Sequence, residues 1–215
     1  MIESLLLDLD GTIADTETLN SFLLRSYMRD AFDVRITAED EEAVHGYCWR
    51  DTFARLRGIY GLDKPDGLML EELLSVKRSW LAAHPLRRAR GLEEILELPL
   101  RRAVVSGSAG PEVDMVLEAV GLSRADFDAV LSVDDFKAGK PDPAGFLMAL
   151  RLLGTRPQSA LVFEDSRTGI ASARAAGVPV AFLRELAQYD IASLADMSFE
   201  TFHEACAWLR SRPGA

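Results

Sequence analysis

Five short apolar runs, each ending abruptly in polar residues, constrain the fold of this chain more than any other feature. Leu5-Leu6-Leu7 runs into Asp8, Ala103-Val104-Val105 into Ser106, and Ala129-Val130-Leu131 into Ser132. Ala160-Leu161-Val162-Phe163 runs into Glu164-Asp165, and residues 178–183 stop before Arg184. Unbroken apolar runs of this length fit strands covered on both faces, as in a parallel sheet. Between them, residues 111–120, 143–153 and 168–176 read as helices; Val113, Val116, Leu117 and Val120 are spaced for one face. This alternation predicts an α/β fold, a doubly wound parallel sheet of Rossmann type, in which ligands sit at the carboxyl ends of the strands.

From Thr16 to about Arg88 the alternation stops and helical periodicity takes over. Leu19, Phe22, Leu23 and Tyr27 are expected to share one face, and Leu70, Leu73, Leu74 and residues 77–80 continue a second helical stretch. Pro and Gly interrupt the pattern near residues 85–91. The expected organisation is a small α-helical domain over residues 16–87, inserted into a core made of residues 1–15 and 88–215. Asp40-Glu41-Glu42 and Glu71-Glu72 read as solvated faces, and residues 210–215 as a frayed tail.

Charge and composition exclude several classes. The chain has 215 residues with 34 acidic and 24 basic side chains, a formal net charge of −10. A nucleic-acid binder needs a basic face to displace counterions, and an anionic membrane surface would repel this chain. Hydrophobic residues make up 48%, enough for a real core and too many for a disordered polymer. Cys48 and Cys206 are too few and too far apart for a disulfide framework or a thiolate zinc site. The acidic start MIESLLLDLDGT lacks the cationic opening of a signal peptide, and no apolar stretch is long enough to span a membrane. The expectation is a cytoplasmic protein, a monomer or weak homodimer.

Chemistry concentrates at the ends of the apolar runs. Asp8-Leu9-Asp10-Gly11-Thr12 follows the first of them, and residues two apart on extended backbone point to one side. Two close carboxylates repel unless a cation lies between them or one stays protonated. The pair therefore suggests a divalent metal, or a nucleophile beside an acid/base; solvated turn aspartates are the ordinary alternative. Glu164-Asp165-Ser166 puts two more carboxylates at a second strand end, where helix capping by Asp165 or Ser166 is the ordinary reading. An all-oxygen donor set of this kind suits Mg²⁺. Lys140, stiffened by Pro141 and Pro143, offers an aimed ammonium. Ser106-Gly107-Ser108 offers hydroxyl and backbone N–H groups to an anion, although such a tripeptide is also generic turn material.

In chain order, DLDGT, VVSGS, GKPDP and VFEDSRTG resemble the four motifs of the haloacid dehalogenase superfamily of phosphotransferases. The helical stretch after the first motif looks like the mobile cap of the subfamily that inserts its cap there. The resemblance implies Asp8 as the nucleophile that forms an aspartyl phosphate and Asp10 as the acid/base. It implies Ser106, Gly107 and Lys140 as phosphate-binding groups, and Mg²⁺ held by the Asp8 side chain, the Asp10 carbonyl and Asp165 with Glu164 adjacent. Asp10 favours phosphate-ester chemistry over the dehalogenase and phosphonate-cleaving branches, which lack the second aspartate. The expected activity is a Mg²⁺-dependent phosphatase acting on a small-molecule phosphate ester, a sugar or polyol phosphate.

Two rivals remain at this stage. A β-phosphoglucomutase shares the core motifs and cap type, but Asn20 stands where the mutase has a histidine, and the segment from Gly46 to Arg50 is spaced differently from its arginine-bearing counterpart. A non-catalytic binding module would have no need of the charged motif residues. In the cap, Arg50, His45, Lys77 and Arg78 are candidates to reach a polar substrate, and Tyr47, Trp49 and Phe53 to line a pocket. Each also has an ordinary reading: core for the aromatics, surface for Lys77 and Arg78.

Overall fold

The first apolar run becomes the centre of the molecule. In the computed structural model, which describes residues 1–212, β1 (Ser4–Leu7) is buried along its whole length. It lies within a six-stranded sheet of order β3-β2-β1-β4-β5-β6. The other strands are β2 (Arg101–Val105), β3 (Ala129–Leu131), β4 (Ala160–Glu164), β5 (Val180–Leu183) and β6 (Met197–Phe199), and all pairings are parallel. The expected doubly wound α/β class is the one observed.

Helices cover both faces. α1 (Glu17–Phe32), α2 (Ala38–Val44), α3 (Trp49–Tyr60) and α4 (Asp66–Ala83) lie between β1 and β2 in sequence. The others are α5 (Leu92–Glu97), α6 (Gly110–Ala119), α7 (Ala144–Leu153), α8 (Arg167–Ala175) and α9 (Phe202–Arg210). Successive strand side chains point to opposite faces. Leu5 and Leu7 accordingly pack in one cluster with Val113, Val116, Ile95 and Phe202, while Leu6 packs in a second with Phe146, Ala149 and Ile170. A third cluster, Leu24, Met28, Val44, Phe53, Leu56, Leu62, Met69 and Leu73, belongs wholly to α1–α4 and their links.

Several local expectations are corrected. Phe22 is 55% exposed, because the buried stripe of α1 runs through Leu19, Leu23, Leu24 and Met28 instead. Glu41 is buried rather than solvated, its carboxylate bound by Nε and Nη2 of Arg25. The fifth strand begins two residues late, after Pro179, and β6 is a sixth strand whose three residues form no apolar run. Arg210 closes α9 with Leu209 buried beneath it, so the tail is helical to that point; residues 213–215 lie outside the described residues. No helix among the described residues is long and apolar enough to cross a membrane.

Phe53 anchors the third cluster, fully buried with its ring centroid 5.8 Å from Tyr27 and 6.1 Å from Trp49. Phe53→Ala should lower the unfolding free energy by about 3–5 kcal/mol, read as a shifted denaturant midpoint.

Candidate active site

Register brings the motif residues together. Leu7 pairs with Phe163 across β1 and β4, and with Val104 across β1 and β2. Asp8 and Glu164 therefore leave the sheet at the same level, and Ser106 emerges one step beyond on the other side of β1. The Asp8 N–H continues the ladder, donating to the Phe163 carbonyl at 3.0 Å. The β1–β4 boundary is where the strand order reverses, the place open α/β sheets use for ligands.

Two glycines make room for this convergence. Gly11 turns the chain at φ +77°, and a Cβ there would lie 2.0 Å from Asp165 Oδ2. Gly169, in the first turn of α8, lies under the Glu164 carboxylate; a Cβ there would lie 1.8 Å from Glu164 Oε1. Ser166 caps α8 through the Gly169 N–H at 3.0 Å, so the ordinary capping role falls to Ser166 and leaves Asp165 unused by the helix.

Lys140 enters from the loop before α7, buried, and its ammonium binds Asp8 Oδ1 and lies 2.6 Å from Glu164 Oε1. The second Glu164 oxygen accepts from the backbone N–H of Asp165 and Ser166 and from Ser166 Oγ at 2.9 Å. Asp8, Glu164 and Asp165 each present an oxygen within 4.8 Å of the others. Burial pushes the carboxyls of Asp8 and Asp165 well above the usual carboxylate range, and neighbouring negative charges add to it; Lys140 works against the shift. Burial alone would lower the Lys140 pKa, but Asp8 and Glu164 outweigh it and raise it above the ordinary lysine value.

This donor set fits a divalent metal. Asp165 Oδ2 is buried with no hydrogen-bond partner, an orphan that costs free energy unless a cation or proton meets it. Hard, clustered carboxylate oxygens are what such cations prefer. The Asp10 side chain is not part of this cluster. Its Oδ2 accepts from Ser108 Oγ at 3.0 Å and Ser106 Oγ at 3.4 Å, and its Oδ1 faces Lys77 Nζ at 4.0 Å. Asp8 and Asp10 thus point to different partners, one toward the acidic cluster and one toward hydroxyls.

Lys77 is not on the surface. It is fully buried on α4, 2.6 Å from Glu112 Oε1 on α6 and 2.9 Å from Asn20 Oδ1 on α1. Burial disfavours its charge, but Glu112 and Asp10 outweigh that and raise its pKa. Glu112, also fully buried, accepts from Trp49 Nε1 at 3.0 Å. Sequence reasoning missed Glu112, which had no signal, and named Ser108 only within Ser106-Gly107-Ser108 as a group for an anion, not as a partner of Asp10. Lys77 had a signal: it falls four residues after buried Leu73, on the inward stripe of α4.

A cavity of about 100 Å³ opens over these groups, lined among others by Asp8, Asp10, Gly107, Lys140, His45 and Trp49. Tyr47 also lines it, whereas Phe53 packs in the third cluster. His45 Nδ1 meets Glu17 Oε2 at 2.9 Å, and its Nε2 is 4.0 Å from Asp165 Oδ2. Burial opposes charge on that imidazole, and Glu17 overcomes it, raising the pKa. Arg50 is exposed and outside the cavity lining, and Arg78 is exposed as its ordinary reading required.

The fold and these residues define a doubly wound α/β protein with an acidic centre at the switch point of its sheet. The family model for haloacid dehalogenase-like hydrolases matches residues 5–183, and the chain belongs to that family. It groups with the phosphoric monoester hydrolases among them. It is 31% identical over 184 residues to the fructose-1-phosphate phosphatase YqaB of Escherichia coli, covering 72% of this chain and 95% of that protein. It is 26% identical over 184 residues to a phosphorylated carbohydrates phosphatase of Thermotoga maritima, covering 82% of each. CbbY of Rhodobacter sphaeroides, solved in complex with phosphate, shares the fold with a TM-score of 0.81 at 24% identity over 95% of this chain and 96% of that one. The β-phosphoglucomutase of Clostridium difficile does so with a TM-score of 0.81 at 21% identity, over 99% and 100%.

The Lys77–Glu112 pair yields a stability prediction. Breaking a buried ion pair from one side strands a charge, at a cost of about 3–5 kcal/mol, whereas replacing both partners by apolar groups is much milder. Glu112→Gln should therefore cut stability strongly, and Lys77→Met with Glu112→Leu should recover most of it in urea denaturation.

Proposed function

We propose that this chain is a Mg²⁺-dependent phosphatase that hydrolyses small sugar or polyol phosphates through an aspartyl phosphate on Asp8. The observation that carries the reading is the contrast between the two aspartates. Asp8 is clamped by Lys140 beside the acidic cluster, while Asp10, two residues on, sits among hydroxyls. Curated relatives named as phosphatases of fructose 1-phosphate and of phosphorylated carbohydrates support the substrate class.

In this reading Lys140 holds the Asp8 carboxylate in place, and Asp8 attacks phosphorus in line with the departing ester oxygen. Asp10 supplies the proton that this oxygen takes up, then receives one from the water that hydrolyses the aspartyl phosphate. Ser106 Oγ and the N–H groups around Gly107 hold equatorial phosphoryl oxygens, where charge must be met without reorganisation. Mg²⁺ would be held by the Asp8 side chain, the Asp10 carbonyl and Asp165 with Glu164 adjacent, supplying the positive charge that lets a phosphate dianion approach these carboxylates. Residues 16–87 act as a cap over the core of 1–15 and 88–215, excluding water from the cavity. The free thiols of Cys48 and Cys206 accord with a reducing, cytoplasmic setting.

The mutase reading loses support at two points. Arg50 does not line the cavity, and the Asn20 oxygen is committed to Lys77. A binding module would give no reason for a buried lysine between buried carboxylates, an arrangement that is costly unless it is used.

Phosphate release from fructose 1-phosphate should require added Mg²⁺ and vanish in EDTA. Asp8→Asn should abolish turnover, and Asp10→Asn should lower kcat by about 10²–10⁴-fold with the fold retained by circular dichroism. Unchanged turnover in Asp8→Asn would sink the mechanism.

A further inference from the structure

The cavity's charge inventory carries a statement about what the non-phosphate end of the substrate must be. Its lining includes five carboxylates, Asp8, Asp10, Glu17, Glu41 and Asp165, against two basic groups, Lys140 and His45. Both basic groups are already engaged. Lys140 is bound to Asp8 and Glu164, His45 is paired with Glu17, and Arg25, outside the lining, holds both oxygens of Glu41. Lys77, just behind the lining, is neutralised by Glu112, and Arg50 is outside it. Away from Asp8, the cap side of the cavity offers Glu17, Asn20, Ser21, Glu41 and Thr52, joined by Gln188 from the segment after β5. Gln188 Nε2 and Ser21 Oγ are 3.4 Å apart, which closes this end with neutral hydrogen-bonding groups.

We infer that this wall, where Glu17 holds His45 and Glu41 holds Arg25, offers a second anionic group no free counter-charge, so that the enzyme takes monophosphates with an uncharged polyhydroxyl remainder. The inference rests on the phosphatase reading and deepens it. Hydroxyls can bond to Glu41, Ser21 and Gln188, since carboxylates accept and amides both give and accept. A second phosphate or a carboxylate at that end is taken into a partly buried space with no uncommitted basic side chain in the lining among the described residues. The same feature bears on phosphoryl return. Transfer from Asp8 to a second hydroxyl of a sugar monophosphate breaks the Asp8–phosphorus bond and forms a bisphosphate, with the hydroxyl proton passing to a base. A bisphosphate carries a second phosphate for which this cavity holds no free counter-charge, so water becomes the acceptor.

The test compares matched substrates on the wild-type enzyme with saturating Mg²⁺: fructose 1-phosphate against fructose 1,6-bisphosphate, and glycerol 3-phosphate against 3-phosphoglycerate. The member of each pair without a second anionic group should have a kcat/KM larger by about tenfold or more. Glu41→Gln should narrow the gap severalfold, through KM for the anionic member. Equal values within both pairs, or preference for the charged members, would overturn the inference and leave the phosphatase reading standing. No metal-dependent release from any of the four would overturn both.

Discussion

Like charge held out of water is the constraint around which the rest of the molecule is arranged. Asp8, Glu164 and Asp165 are buried with oxygens inside 4.8 Å of one another. Unit charges at about 4 Å repel by about 4 kcal/mol at an effective dielectric of 20, so the cluster would disrupt the ends of β1 and β4 without compensation. Lys140 supplies part of that compensation, gripping Asp8 and Glu164 at once. Backbone N–H groups and Ser166 satisfy the other oxygen of Glu164. What is left uncompensated is concentrated at Asp165, where the unpartnered oxygen lies. The sheet register, the Gly11 turn and the side-chain-free Gly169 are the backbone conditions for this geometry.

A second buried pair does for the α1–α4 segment what Lys140 does for the sheet. Lys77 of α4 and Glu112 of α6 meet with no exposure to solvent, and Asn20 and Trp49 add one hydrogen bond each from α1 and α3. The four residues come from four different helices, three before β2 and one after it. A buried ion pair contributes less to stability than a well-packed apolar contact would. Its cost makes it selective, because helices that slip relative to one another leave two naked charges. This ties the placement of the cavity roof to the placement of Asp10, whose free oxygen faces the same ammonium.

What was legible in the sequence was whatever depends on neighbours in the chain. Five strands could be read because burial on both faces leaves an unbroken apolar run, and the carboxyl-end residues followed from where those runs stop. β6 was not legible: Met197–Phe199 has a serine at its centre and gains its place only by pairing with β5. Charged residues failed for the same reason. Whether Lys77 is buried depends on Glu112, 35 positions away, and Glu41 is buried only because Arg25, 16 positions away, covers it. Local spacing marked Phe22 as inward, but α1 turns a different stripe toward α4, leaving that ring in solvent. Asp8, Asp10, Ser106, Lys140 and Asp165 converge because strand ends are fixed by register, whereas Arg50 sits on a helix whose rotation no local pattern determines.

The division between core and α1–α4 also separates two kinds of electrostatic work. At the carboxyl ends of the strands, negative charge is concentrated and then offset by one fixed ammonium, which suits the role proposed for Asp8 as the group that receives the phosphoryl and releases it again. On the opposing wall the polar side chains are acidic or neutral, and each nearby cation is consumed by a partner within the protein. With a divalent cation at the acidic cluster, as the proposed function requires, a phosphate dianion has a favourable location only against the sheet. The rest of the ligand is left to hydrogen bonding, whose strength depends on how many hydroxyls it can align rather than on its charge. Orientation of the ester then follows from the protein's own ion pairing: the phosphate end is drawn to the strand termini because the opposite wall offers it no free counter-charge.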